Sequence, residues 1–423
     1  MPRTRWAYPV LGLVSTTLCG AAYAFSIFIR PLEAEFGWTR SETVLAFSVT
    51  MLLFGAVVAI GGVIVDSFGP RIPFVIGALL MGSAQILAGR VDTLLGLVLT
   101  YGVMLGAGIG LIYTSATVAL ATRWFPELST RGLAIGVALA GMGTGAVIAA
   151  PLWTIGIAEV GWRATYAATG VVFFVVLGLV ALVLRFPRPG EVPAEMSASD
   201  RLAGSTLREA VRDWRMWFMG LQFFLAIFGG LMVMSQVAAM IGDAAPAGMG
   251  LGAGVAAACV VILGLCNAAG RPLFGGLSGV IGIKMALILC PLIMASALGV
   301  LAIADSTALA VLGVILLGTA FGGTLALNPS MTSAIFGTAF VARIYGIVYF
   351  LGFGLGGFFG TQAGGALLAA TGTHDAALLL AAGLAVVSAV LSQLFLPERG
   401  TERRYATAGT AHPTEDVVAG DVR

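Results

Sequence analysis

Charge is what this sequence has least of. Asp, Glu, Lys and Arg make up 10% of its 423 residues while 59% are hydrophobic, whereas a soluble domain carries roughly 25% charged residues. That balance excludes a water-soluble globular enzyme. The 22 basic and 20 acidic residues nearly cancel, leaving a net charge of +2, so nucleic acid or another polyanion is excluded as the main partner. Histidine is almost missing, with only His374 and His412. The four cysteines, Cys19, Cys259, Cys266 and Cys290, sit singly in apolar runs without C-x-x-C spacing. Neither a disulfide framework nor a metal site follows from them, and no metal or cofactor is expected. Acids are absent from the apolar runs, because Glu33, Glu35, Glu42, Asp92, Glu159, Asp243, Asp305 and Asp375 all fall in or beside their breaks. Paired acids, embedded nucleophiles and ligand clusters are therefore lacking, and no enzymatic activity is expected.

Long hydrophobic runs are what the chain has instead. A bilayer-crossing helix needs about 20 mostly apolar residues, and cutting the sequence at its polar clusters gives twelve such runs. They are Trp6 to Ile29, Thr43 to Val65, Pro73 to Gly89, Leu94 to Ala121, Gly132 to Ala158, Ala164 to Leu184, Met216 to Ile241, Met249 to Ile281, Lys284 to Ala304, Ala308 to Pro329, Tyr345 to Ala370 and Ala376 to Leu396. The first follows Arg3 and Arg5 as a signal peptide would, yet it exceeds the usual apolar region of one and reads as a span. The stretch 185–215, with Pro187, Pro189, Pro193 and six arginines, reads as a cytoplasmic linker. It divides the chain into a six-helix bundle at 1–184 and a second at 216–397, followed by a tail at 398–423 expected to be disordered. The fold class is thus an all-α polytopic membrane protein whose lipid-facing surface meets the bilayer directly.

Basic loops resist translocation, which tests this topology independently. With the N-terminus cytoplasmic, inside segments hold Arg3, Arg5, Arg71, Arg123, Arg131, the linker's six arginines, Lys284, Arg343 and the tail's four, whereas outside segments hold only Arg30, Arg40, Arg90 and Arg163. Both termini are expected in the cytoplasm and the protein in the cell membrane, as a monomer. One basic residue, Arg271, belongs to neither side.

The two halves share a motif. Gly62 to Arg71 reads G-x-x-x-D-x-x-G-x-R, and the corresponding place in the second half, Gly275 to Lys284, keeps the spacing without the acid. Glycines there permit close helix packing and a tight turn, while Asp66 and Arg71 can pair in one conformation and separate in another. Gly62, Asp66, Gly69, Arg71 and, in the next inside loop, Arg131 are the candidate conformational gate. Two related halves are the layout of carriers that rock around a central site.

Sliding the repeats over each other sets Arg271 opposite Val58, each eight residues before Gly279 or Asp66, and so about 12 Å into the membrane. A guanidinium cannot shed its proton there, and it needs water, protein dipoles or an anion beside it. Asn267 lies one helical turn away on the same face. A planar carboxylate fits the guanidinium fork bidentately. The sparse polar side chains of other spans, Tyr23, Tyr113, Gln236, Asn328, Tyr349 and Gln362, are candidates to line the same cavity.

Gly62 to Arg71 resembles the signature of the major facilitator superfamily, and Gly141-Met-Gly143-Thr-Gly145 before Pro151 is similar to its fifth-span motif. Closer still, Gly69-Pro-Arg-Ile-Pro73, Arg123-Trp-Phe-Pro126, Arg131-Gly-Leu-Ala134, Asn267 to Pro272, Ile335 to Ala339, Ala342-Arg343 and Tyr345-Gly346 resemble the oxalate/formate antiporter family and the related monocarboxylate transporters. The resemblance implies twelve helices in two pseudo-symmetric bundles, with Arg271 as carboxylate ligand and Tyr23 and Tyr113 in the cavity. It places Gly352 where the dicarboxylate exchanger of the family has a lysine. Phe321 and Tyr349 keep its cavity aromatics, whereas Met142 and Leu325 do not. One cation suits one carboxylate, so the expected activity is carriage of a small organic monocarboxylate by alternating access, coupled to protons or to a counter-transported anion. The alternatives are an oxalate-type dicarboxylate antiporter and an exporter of lipophilic compounds.

Overall fold

The computed structural model describes residues 3–116, 118–125, 128–188, 191, 205–337 and 340–395. Eleven helices within them are long and apolar enough to cross a membrane. In chain order they are α1 (Ala7–Phe36), α2 (Arg40–Phe68), α3 (Arg71–Ala88), α4 (Leu94–Thr114), α5 (Leu128–Val183), α6 (Trp214–Gly242), α7 (Ala253–Ile281), α8 (Ile283–Ala302), α9 (Thr307–Phe336), α10 (Arg343–Thr371) and α11 (Asp375–Phe395). The tail at 398–423 and, within the proline-rich stretch, residues 189, 190 and 192–204 lie outside the described residues. The end of that stretch forms a short helix, Leu207–Arg212, opened by a Thr206–Glu209 capping box.

Twelve spans were expected where eleven helices stand, and α5 explains the difference. Its 56 residues would reach about 84 Å as a straight rod, far more than a bilayer core of about 30 Å. Gly161 interrupts it with φ 81° and ψ 163°, a conformation open to glycine alone at little cost. Beyond that point the chain folds back, for Trp153 Nε1 donates to Thr169 Oγ1 at 2.9 Å, although sixteen residues of unbroken helix would separate them by about 24 Å. The two arms of α5 are the fifth and sixth spans. A second difference lies in α9, which continues through Pro329 to Phe336 rather than ending there. Pro151, Pro272 and Pro291 are likewise interior to helices, as neighbouring helices in a membrane allow.

Contacts between the halves repeat with pseudo-twofold logic. The second span, α2, packs along the eleventh, α10, and the fifth span, the first arm of α5, packs on the eighth, α7. At the first interface Ser41 donates to Gln362, whose amide donates to Ser48 at 2.9 Å. At the second, a Cβ on Gly143 would lie 2.7 Å from the Cα of Ala268, which is the small-residue packing that lets helices in lipid approach closely. The third contact joins the first spans of both halves, α1 and α6. Outward faces remain apolar, with Val171, Val172, Val175, Leu179 and Leu182 exposed along the second arm of α5.

A candidate anion site between the halves

Six spans meet at the centre and bring one cation, Arg271, together with a group of aromatic side chains. Tyr23 comes from α1, Phe54 from α2, Tyr113 from α4, Asn267 and Arg271 from α7, Phe321 from α9, and Tyr345 and Tyr349 from α10. Three spans of each half therefore contribute. Tyr113 stacks near Tyr349 with centroids 6.1 Å apart, Phe54 meets both at 5.3 and 5.6 Å, and Tyr345 meets Tyr349 at 5.6 Å. Tyr23 meets Phe321 edge-on at 6.4 Å.

Arg271 is half-buried and donates through Nη1 to the Leu139 carbonyl of the opposite half at 3.3 Å, while its Nε finds no acceptor. No carboxylate pairs with it among the described residues. Its charge acts instead on the phenols of Tyr23, Tyr113, Tyr345 and Tyr349. Asn267, one turn away, is fully buried with both amide atoms unpartnered, as is the Tyr23 hydroxyl. Buried polar atoms nearly always find partners, so this concentration of orphaned groups beside a lone guanidinium points to a ligand. The arrangement can receive one anion in a forked grip with amide and phenol donors beside it, in surroundings otherwise of ring edges and faces.

Of the residues singled out in the sequence, Arg271, Asn267, Tyr23, Tyr113, Phe321 and Tyr349 come together here. Asn328 is buried two turns further along α9, where it donates to the Thr324 carbonyl at 2.9 Å and leaves its Oδ1 without a partner. Gln362 belongs to the α2–α10 interface. Tyr345 and Phe54 escaped the sequence reading. Tyr345 could have been found, because it stands one turn before Tyr349 on the same helix face, but nothing in the sequence separates Phe54 from the other 23 phenylalanines.

At the gate candidates, Gly69 closes α2 with φ 72° and Gly282 closes α7 with φ 88°, so the repeated spacing makes the same turn twice. Gly62 faces open space and packs no neighbour, and Arg71 is exposed at the start of α3. The side chains of Asp66 and Arg131 lie outside the described ones.

A second polar cluster joins the halves at the opposite end of α2 from Gly69. Arg40 of α2 grips Glu33 of α1 at 2.6 and 3.1 Å and donates to Asp243, beyond α6, at 2.9 Å. Arg30 pairs with the same Asp243, so two cations of the first half hold one acid of the second. His374, in the turn between α10 and α11, is buried beside them. Burial first and then the Arg40 charge push its pKa from 6.5 to about 4, against the pull of Asp243 and a hydrogen bond with the Ala247 backbone. Among the described residues no group of three or more His, Cys, Asp or Glu side chains could hold a metal ion.

Comparison with known proteins matches this architecture. The family model described as Major Facilitator Superfamily fits residues 11–361. The chain is 30% identical to the oxalate:formate antiporter of Oxalobacter formigenes, covering 94% of this chain and 92% of that one. It is 25% identical to monocarboxylate transporter 12-B of Danio rerio, covering 92% and 87%. The solved structure of the nucleoside transporter NupG shares the fold with a TM-score of 0.70 at 15% identity, covering 92% of this chain and 100% of that one. The chain belongs to the Major Facilitator Superfamily of membrane transporters.

Proposed function

We propose that this transporter carries a small organic monocarboxylate across the cell membrane by alternating access, with both termini cytoplasmic, and that Arg271 binds the carboxylate. The observation that carries the reading is the guanidinium itself, set between the halves with no carboxylate partner among the described residues, in one site with the unpartnered Asn267 amide and Tyr23 hydroxyl. Names of relatives support the substrate class, since one is an oxalate:formate antiporter and another a monocarboxylate transporter. Asn267, Tyr23, Tyr113, Phe321 and Tyr349 complete the site, and Asn328 extends it along α9. Gly62, Asp66, Gly69, Arg71 and Arg131 act in switching between the two orientations.

Coupling follows from the same charge. Arg271 cannot be neutralised by losing a proton, and no described acid faces it. Moving the empty site through an occluded state desolvates a bare cation, whereas moving the loaded site moves a neutral pair. Anion exchange is therefore favoured over proton cotransport. A dicarboxylate exchanger is the second reading, and the oxalate:formate relative favours it, but a single cation balances only one carboxylate.

The test is thermal stabilisation of the purified protein by a panel of mono- and dicarboxylates, repeated with Arg271→Ala. Stabilisation by monocarboxylates that vanishes in the variant supports the site, and equal stabilisation of both proteins refutes it. Uptake into proteoliposomes preloaded with unlabelled anion separates exchange from symport: stimulation by preloading and none by an inside-alkaline gradient is expected.

A further inference from the structure

Position 352, one turn beyond Tyr349 on α10, carries no side chain, and a neighbouring aromatic ring takes the space. A Cβ built on Gly352 would lie 2.7 Å from the Cβ of Phe223 and closer still to its ring. Phe223, from α6, is wholly buried. Its ring stands 6.1 Å from that of Tyr349, and Tyr349 stacks on Phe353 at 4.8 Å. Tyr349 thus stands between two kinds of neighbour: the phenols of Tyr113 and Tyr345, and the wholly apolar rings of Phe223 and Phe353. One turn earlier on α6, Gly220 meets Leu351 in the same manner, so the approach of α6 to α10 is a sustained interlock of bare backbone and apolar side chains.

We propose that Phe223, seated on the bare backbone of Gly352, is the specificity-determining residue of the site: it ends the cavity in hydrocarbon, admits only a short apolar tail and denies a substrate's second charge any partner. The inference rests on the carboxylate reading of Arg271 and adds what lies at the other end of the substrate. A second carboxylate brought against Phe223 and Phe353 would be desolvated with nothing to pair it. A hydrocarbon tail gains about fourfold in affinity for each methylene that finds room and loses it sharply where the wall stands.

The test compares binding of acetate, propionate, butyrate, hexanoate and malonate to the purified full-length protein by thermal stabilisation and by competition for uptake in proteoliposomes. Phe223→Ala is expected to move the preferred tail at least two carbons longer, changing the hexanoate-to-propionate affinity ratio tenfold or more. Gly352→Ala alone is expected to weaken all monocarboxylates, and Phe223→Ala/Gly352→Ala to restore them, because removing the ring makes room for the new methyl. Should Phe223→Ala not fold, Phe223→Leu is read by the same criterion with a smaller shift. An unchanged order of tail preference in a folded Phe223 variant, with binding still lost in Arg271→Ala, overturns the proposal and leaves the carboxylate reading standing. Binding that survives Arg271→Ala removes the carboxylate reading itself.

Discussion

Arg271 keeps its charge inside the protein because its surroundings solvate it incompletely rather than not at all. One carbonyl, that of Leu139, accepts from Nη1, and phenol dipoles lie near, but Nε has no acceptor. A full internal counter-charge would silence the site, whereas a single weak contact leaves it ready for an anion. Two predictions belong to this scale. Lysine keeps the charge and loses the planar fork, so Arg271→Lys should weaken monocarboxylate binding about tenfold or more, in keeping with the roughly 1.5–3 kcal/mol of a charge-assisted hydrogen bond. A titration of thermal stabilisation measures it. Asn267→Asp sets an acid one turn from the guanidinium, where it competes with the substrate at neutral pH. Uptake by that variant should fall at pH 7 and recover as the pH is lowered through the new carboxyl group's pKa, and a flat pH profile would show that position 267 does not face the substrate.

At the scale of the elements, the sequence was legible wherever a single physical rule dominated. Apolar length placed the spans, and polar breaks fixed most ends to within a few residues, because lipid leaves a backbone no choice but helix. The rule also put the fifth and sixth spans on either side of Gly161, where one positive-φ residue between Glu159 and Arg163 turns the chain. It failed at Pro329, which sits inside a helix whose neighbours compensate for the lost donor. Arg271 was legible because a lone charge in an apolar run has few explanations, and Asn267 followed from helical spacing. Phe54 and Phe223 were not, since their importance arises from which helices meet, and one phenylalanine looks like another until they do. The meeting of helices is itself testable. Gly143 has no room for a side chain against Ala268, so Gly143→Val should force α5 from α7, lower the thermal midpoint by several degrees and abolish exchange, while Gly136→Ala, at a position facing open space, should leave both unchanged.

For the whole molecule, the clamp of Asp243 between Arg30 and Arg40 is a latch between halves. It also accounts for the charge asymmetry of the loops: Arg30, Arg40 and Arg163 are paired with acids at this end, so the few basic residues here do not contradict the orientation that the others favour. Asp243→Asn leaves Arg40 with Glu33 alone and should populate the state open at this end, read as faster labelling of a cysteine introduced beside the central site or as a longer spin-label distance between α1 and α6. Acid should act in the same direction through His374. Its pKa falls from 6.5 to about 4 in the latched state, and opening to solvent returns it toward the ordinary value, so the latched state favours neutral imidazole. The contribution is fully present above pH 6.5 and is lost as pH falls toward 4, by up to about tenfold in the latched-to-open ratio for each pH unit between those values. The groups facing the imidazole set that sign: Arg40 opposes its protonation, Asp243 favours it, and burial tips the balance. Labelling of the open state should therefore rise on acidification from pH 7 to 5 in the parent protein and much less in His374→Gln, and equal pH responses of the two would place the sensor elsewhere.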